Sequence, residues 1–276
     1  MDIEHFVIKE GMKRGLREKT IKTYITCLNK FFRTIRIKPN ELKKKDIENY
    51  LENLKKWKRS DNTINVYVNA IKFFYEKVLR KTLTIRINHK RVRKRLPEFL
   101  TKEEVIKLFS VISNSKHKLM IKFLYSTGMR VSELINLKVK DFEFNQNYGW
   151  VRDGKGGKDR LFVVSKKLKL EIINLISKEK LFSTSNLFNS SFGKKYSVSS
   201  IQNIIKNACF KANITKNISP HSLRHSFATH LIQNGYGVTE VQPLLGHNNI
   251  NTTMIYLHMA SPQIIKVESP IDSLDG

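Results

Sequence analysis

The chain has 276 residues, 40% of them hydrophobic, so it can bury a sizeable core, and its length favours two modest domains over one. It carries 51 Lys and Arg against 24 Asp and Glu, a formal net charge of +27 at pH 7. Such an excess of positive charge favours a polyanionic partner. Nucleic acid is the expected partner, in preference to an anionic membrane surface. No apolar run approaches the roughly 18 residues of a membrane-spanning helix, which argues against a membrane protein.

Two further features predict a cytoplasmic location. The chain starts Met1-Asp2-Ile3-Glu4, which is acidic where a signal peptide would be basic. The two cysteines, Cys27 and Cys209, are far apart and form no paired framework, so we expect reduced, buried thiols. Neither feature suggests export.

The first 96 residues hold 27 Lys and Arg against 10 Asp and Glu, so they carry most of the excess charge. Apolar residues recur there at helical spacing in three stripes, within 21–32, 47–54 and 64–78, and a shorter helix is expected to end near Gly11. The pattern predicts a compact bundle of about four helices at residues 1–80.

A basic, weakly apolar stretch follows and precedes Pro97, which predicts a linker at residues 81–97. Because this linker carries so much charge, we expect it to run along DNA. The candidate DNA-binding residues in it are Lys90, Arg91, Arg93, Lys94 and Arg95.

A second domain is predicted at residues 98–276. It opens with the capping signal Thr101-Lys-Glu-Glu104, and helices are expected near 118–126, 131–137, 168–176, 198–212 and 222–234. Residues 142–164 are rich in aromatic and β-branched types around a Gly-rich hairpin at 153–159, which predicts a small antiparallel sheet. Pro243 predicts a bent or short helix with Thr239 as its N-cap.

Six cationic, imidazole or phenolic residues beside turns and helix starts form a chemically coherent set. They are Arg130, Lys155, His221, Arg224, His247 and Tyr256. A phosphodiester under attack gains negative charge, which guanidinium groups bind bidentately and fixed donors stabilise. A tyrosine hydroxyl, with a reference pKa of roughly 10, becomes a nucleophile when cations favour its phenolate or an imidazole takes its proton.

The sequence blocks around these residues resemble the signature blocks of tyrosine recombinases, in particular their Xer-like branch. The blocks are Thr127-Gly-Met-Arg130-Val-Ser-Glu-Leu134, Gly154-Lys155-Gly-Gly-Lys-Asp-Arg160, His221-Ser-Leu-Arg224-His-Ser-Phe-Ala-Thr-His230, and Leu244-Leu-Gly-His247 followed by Tyr256. The resemblance covers nearly the whole chain. It implies a mainly α fold with a small antiparallel β-sheet: a helical core-binding domain, the basic linker, and an α+β catalytic domain with a C-terminal tail.

The resemblance also implies a mechanism in which Tyr256 attacks the scissile phosphate, giving a 3′-phosphotyrosyl bond and a free 5′-hydroxyl. A 5′-hydroxyl of a partner duplex then reverses the step, so neither a cofactor, a metal nor ATP is expected. Arg130 and Arg224 would bind the non-bridging oxygens and Lys155 would act as general acid. His221 and His247 would serve in proton transfer or in hydrogen bonding to phosphate, and Glu133 would buttress the site.

The implied partners are double-stranded DNA with a specific recombination site and further copies of the chain, as a tetramer on DNA and a monomer or dimer without it. Chromosome dimer resolution at the nucleoid is the first expectation and integration of a mobile element the second. Two rival interpretations are a type IB topoisomerase, which rejoins the same strand, and a DNA-binding protein that has lost catalysis.

A zinc site is disfavoured although His221 and His225 are four apart, the spacing of two ligands on a helix. Ser222 stands where the zinc-protease motif has Glu, and Arg224 would place a cation beside the metal. The remaining histidines nearby, His225, His230 and His258, are predicted to be structural.

Overall fold

The computed structural model describes residues 2–82, 97–152, 159–190, 193–246, 252–254 and 256–257. The chain divides into two compact units, Met1–Lys94 and Arg95–Gly276. Across these described residues, no helix has both the length and the apolar character needed to span a bilayer. The predicted site residues Lys155 and His247, the five basic residues within 90–95, and His258 lie outside the described residues.

The first unit is a helical bundle, as the apolar stripes predict. Its elements are α1 (Ile3–Lys13), α2 (Glu18–Ile35), α3 (Lys44–Lys56) and α4 (Asp61–Lys72), and α4 continues into a π-helical turn, Phe73–Val78. Helix α2 packs against α1, α3 and α4. The core is built from the predicted stripes and includes Leu28, Phe31, Ile47, Leu51, Ile64, Ile71 and Phe74, all at most 1% exposed.

The second unit surrounds a central helix with other helices and a small sheet. Its helices are α5 (Lys102–Ser110), α6 (Ser115–Thr127), α7 (Val131–Asn136), α8 (Lys166–Lys178), α9 (Val198–Lys211), α10 (Pro220–Gln233) and α11 (Val238–Leu245). Helix α10 contacts α6, α9 and α11, and this central position explains why most of its residues are buried. Cys209 on α9 is a free, buried thiol, as is Cys27 in the first unit.

The sheet is antiparallel with strand order β1 (Phe142–Glu143), β2 (Tyr148–Val151) and β3 (Arg160–Val163). The register pairs Trp150 with Leu161 and Val151 with Arg160. Burial alternates along β3, so that Arg160 and Phe162 point into the unit while Leu161 and Val163 face outward. The prediction of a mainly helical chain with one small antiparallel sheet is confirmed.

Residues 98–101 are fastened to the central helix before α5 begins. The Leu100 N–H donates to Ser226 Oγ on α10 at 2.9 Å, and Lys216 Nζ donates to the Phe99 carbonyl at 3.1 Å. The predicted capping box at Thr101 and Glu104 is formed by two reciprocal hydrogen bonds of 2.7 and 3.2 Å. The start of the second unit is therefore held at the middle of α10.

Helix α11 has eight residues and covers the whole segment that Pro243 was expected to bend or shorten. The expected N-cap was wrong: the helix begins after Gly237 rather than Thr239, and it continues through Pro243 to Leu245 without interruption. The earlier start places Pro243 in the second turn, where only one backbone hydrogen bond is lost. Gly246 ends the helix in the left-handed conformation, with φ of +61°.

Candidate active site

The start of α10 positions two of the predicted catalytic residues. Ser219 caps the helix by accepting a hydrogen bond from the Ser222 N–H at 3.3 Å, and Pro220 occupies the first turn, where its missing N–H costs nothing. This cap fixes where the helix begins and so places His221 and Arg224 three residues apart on one face. His221 is exposed, whereas Arg224 is buried.

Two main-chain carbonyls fix the buried guanidinium of Arg224. Its Nη1 donates to the Gly128 carbonyl at 2.7 Å, and its Nη2 donates to the Leu245 carbonyl. Gly128 ends α6 with φ of +59°, and a Cβ there would come within 2.3 Å of the Phe227 ring, so only glycine fits this turn. Burial, together with the charges of Arg130 and Arg160, lowers the pKa of Arg224 to about 10, which leaves it cationic at neutral pH.

Arg130 stands at the start of α7, directly after that turn, and is paired with Glu133. Arg130 Nη1 lies 2.7 Å from Glu133 Oε1, and the Arg130 backbone N–H donates to Oε2 at 2.8 Å. Burial alone would raise the pKa of Glu133, but the charge of Arg160 and hydrogen bonds from both arginines keep it below its ordinary value. Glu133 is thus an anion that holds Arg130 in place, as the sequence suggested.

Arg160 on β3 is a second partner of Glu133, and the sequence analysis missed it. Arg160 Nη2 lies 2.6 Å from Glu133 Oε2, and both side chains are 8% exposed. Arg160 Nη1 donates to the Leu244 carbonyl in α11 at 2.5 Å. One buried arginine therefore connects β3 to the start of α7 and to the end of α11.

Tyr256 is buried, with 2% of its surface exposed, against apolar residues of α10 and α11 that include Ile232, Val241 and Leu245. Its hydroxyl lies 3.0 Å from Nδ1 of His225, and the two ring centroids are 5.5 Å apart. His225 was predicted to be structural, yet its imidazole contacts the candidate nucleophile. His230, by contrast, is buried and hydrogen-bonded to the Tyr125 hydroxyl at 2.8 Å, in keeping with a structural role.

The guanidinium charges of Arg224 and Arg130 act on both His221 and Tyr256. Partial withdrawal of the His221 ring from water, then the charges of Arg224 and Arg130, lower the pKa of His221. Burial raises the pKa of Tyr256, while the charges of Arg224 and Arg130 act in the opposite direction. A bound anion would be stabilised by the same two guanidinium groups.

The structure brings four of the six predicted residues into one neighbourhood: Arg130, His221, Arg224 and Tyr256. They come from the turn after α6, from α10, and from the segment after α11. The sequence carried one signal for Arg160, its place two residues before the buried Phe162 on the same side of a strand. It carried none for His225, because the contact joins positions 31 residues apart.

Comparisons with known proteins agree with this architecture. Residues 98–262 match the Phage integrase family, and residues 7–85 match the Phage integrase, N-terminal SAM-like domain. The chain is 34% identical to the tyrosine recombinase XerA of Pyrococcus horikoshii, over 91% of this chain and 86% of that protein. It is 31% identical to the tyrosine recombinase XerD of Oceanobacillus iheyensis, over 95% and 94% of the two chains.

A solved structure shows the same relationship. The crystal structure of XerA recombinase superimposes with a TM-score of 0.55 at 28% identity, covering 96% of this chain and 99% of that one. The family match covers more than half of the chain, and the curated relatives cover nearly all of it at above 30% identity. The chain therefore belongs to the phage integrase family and is a tyrosine recombinase, an enzyme of site-specific recombination.

Proposed function

We propose that this recombinase binds double-stranded DNA at a specific site and exchanges strands through a 3′-phosphotyrosyl bond formed by Tyr256. The observation that carries the proposal is that the Arg224 guanidinium donates to the carbonyl of Leu245, a residue in the apolar cluster around Tyr256, and the charges of Arg224 and Arg130 both act on the phenol. A phosphate bound by those guanidinium groups would lie beside the phenol. Such a phosphate would gain charge during attack, and fixed cations stabilise that developing charge most.

The proposed reaction replaces one phosphate ester bond by another. The Tyr256 oxygen bonds to phosphorus, the bond from phosphorus to the 5′-oxygen breaks, and Lys155 gives a proton to that leaving oxygen. The phenol proton passes to an imidazole, His221 or His247, and both groups then exchange protons with water. The phosphotyrosyl ester retains the bond free energy of the phosphodiester. The reverse attack by a 5′-hydroxyl of another duplex therefore needs no nucleotide cofactor or metal ion.

Each proposed domain has its own task in this function. Residues 1–80 clamp the DNA, and residues 98–276 cut and rejoin its strands. Residues 81–97 run along the DNA backbone and contact it through Lys90, Arg91, Arg93, Lys94 and Arg95. The net charge of +27 supports a mode of binding dominated by phosphate contacts. We further propose that the protein acts as a tetramer on DNA and resolves chromosome dimers in the cytoplasm, at the nucleoid. The likeness to tyrosine recombinases named XerA and XerD supports the recombination of DNA in this proposal.

Covalent capture tests the proposal and identifies the target sequence in the same experiment. Wild-type protein is mixed with fragmented genomic DNA of the source organism, denatured, and the adducts are recovered and sequenced. We expect adducts at one recurring sequence, unchanged by EDTA and absent with Tyr256→Phe. Tyr236→Phe, at an exposed tyrosine of the same unit, is the matched control and should form adducts normally.

Two outcomes would contradict the proposal. If wild type forms no denaturant-stable adduct, the covalent mechanism is wrong. If wild type relaxes supercoiled plasmid that lacks the captured sequence, and no exchanged product forms, the protein is instead a topoisomerase that rejoins the same strand.

A further inference from the structure

We propose that His225 holds the attacking oxygen of Tyr256 in place by accepting its hydrogen bond at Nδ1, and that His225 does not take the proton. The inference rests on the proposed function of Tyr256 and adds a residue to that site. It starts from one contact: the Tyr256 hydroxyl lies 3.0 Å from Nδ1 of His225, with the ring planes at 49°.

Burial makes the hydrogen bond to His225 a favourable contact for the Tyr256 hydroxyl. Tyr256 is 2% exposed among apolar side chains of α10 and α11, and a buried hydroxyl without a partner is costly. A phenol is a stronger acid than a neutral imidazole N–H, so the phenol is the donor and Nδ1 the acceptor. His225 then carries its own proton on Nε2.

The surrounding charges argue that His225 stays neutral. The groups that face it are His221 and Arg224 on its own helix and Tyr256 from the segment after α11. Burial, then His221 and Arg224, lower the pKa of His225 to about 4, while burial raises the pKa of Tyr256. The proton therefore stays with the phenol before attack, held in the hydrogen bond to His225, and during attack it leaves that bond and passes to His221 or His247.

Helix geometry explains why this position suits the task. His221 and His225 are one helical turn apart, so both imidazoles lie on one face of α10, and Arg224 directly precedes His225. A rigid helix thus carries a phosphate-binding guanidinium and the residue that orients the phenol. Orientation of this kind matters because a displacement of 1 Å can cost about 100-fold in rate.

Two substitutions separate holding from proton transfer. In His225→Asn the amide oxygen can stand near the Nδ1 position and accept the phenol hydrogen bond, but it cannot take a proton. In His225→Leu the acceptor is lost. We expect the rate of covalent adduct formation on fragmented genomic DNA to fall less than about 3-fold in His225→Asn and about 10- to 100-fold in His225→Leu, with DNA binding unchanged in both.

Two further measurements exclude a merely structural effect. The ratio of wild-type to His225→Asn rates should stay constant with pH. A duplex with sulfur at the bridging 5′ position has a leaving group that needs no proton. This duplex should restore the rate of adduct formation by Lys155→Ala but not by His225→Leu.

The outcomes are distinct. Adduct formation by His225→Leu at the wild-type rate would show that His225 has no role. A His225→Asn rate as low as that of His225→Leu, with both proteins folded, would show that His225 takes the proton, and the inference would be wrong. Absence of adduct with wild type itself is the different result that overturns the proposed function.

Discussion

The Cδ atom of Arg160 lies where a side chain at Gly246 would begin, since a Cβ built on Gly246 comes within 2.7 Å of it. Gly246 also has φ of +61°, which L side chains rarely adopt. The glycine is therefore required twice, once by the backbone turn that ends α11 and once by the arginine that packs against that turn.

Gly246→Ala should lower the free energy of unfolding by more than backbone strain alone explains. A matched control is Gly193→Ala, which has φ of +69° and no atom within 4 Å of the added Cβ. We expect about 1 kcal/mol of loss for Gly193→Ala and about 2 to 4 kcal/mol for Gly246→Ala, measured by urea denaturation. Equal losses would mean that the Arg160 contact relaxes without cost.

Glu133→Gln should be strongly destabilising because it removes the anion between two buried or half-buried arginines. Breaking a buried pair typically costs about 3 to 5 kcal/mol, since a charge is left uncompensated. Adduct formation should fall as well, because Arg130 loses the carboxylate that holds it. Glu143→Gln, at an exposed position of the same unit, should change the free energy of unfolding by less than about 0.5 kcal/mol.

The pKa of His225 predicts a loss of stability in acid. Because the folded-state pKa is about 4, below the ordinary value of 6.5, the unfolded chain binds a proton first as pH falls. The contribution of His225 to the free energy of unfolding is therefore fully present above about pH 6.5. It decreases by about 2 to 3 kcal/mol as the pH falls to 4. The unfolding free energy of His225→Asn should fall less between pH 7 and pH 4.5. Equal falls in the two proteins would contradict the assignment.

Replacing Lys90, Arg91, Arg93, Lys94 and Arg95 by Gln should weaken DNA binding and reduce its salt dependence. If all five contact phosphates, the slope of log affinity against log salt should decrease by about 4 to 5, at about 0.9 per charge. A control with lysine at all five positions keeps the charge and should keep the slope. An unchanged slope in the Gln variant would show that these five linker residues do not contact DNA phosphates.

The sequence was sufficient for the elements whose periodicity is strong. The helices predicted at 198–212 and 222–234 occur at Val198–Lys211 and Pro220–Gln233, and the capping box at Thr101 forms as expected. Caps with weaker signals were less reliable. Thr239 looked like a good N-cap, but Gly237 takes that place because α11 starts two residues earlier.

Side-chain partners across long separations could not be predicted. Along β3 an arginine alternates with apolar residues, and the one local signal that Arg160 points inward is its place two residues before Phe162, which names no partner. The inward direction follows from Glu133, which lies 27 residues earlier. The contact between His225 and Tyr256 depends in the same way on how α10 and the segment after α11 pack, which no spacing rule gives.

The hydrogen bond from Leu100 to Ser226 attaches the residues ahead of α5 to the helix that carries the candidate site. Ser226 directly follows His225, whose ring contacts the Tyr256 hydroxyl. Because proline has no N–H, a chain with proline at position 100 would lose this attachment one residue away from the partner of the phenol.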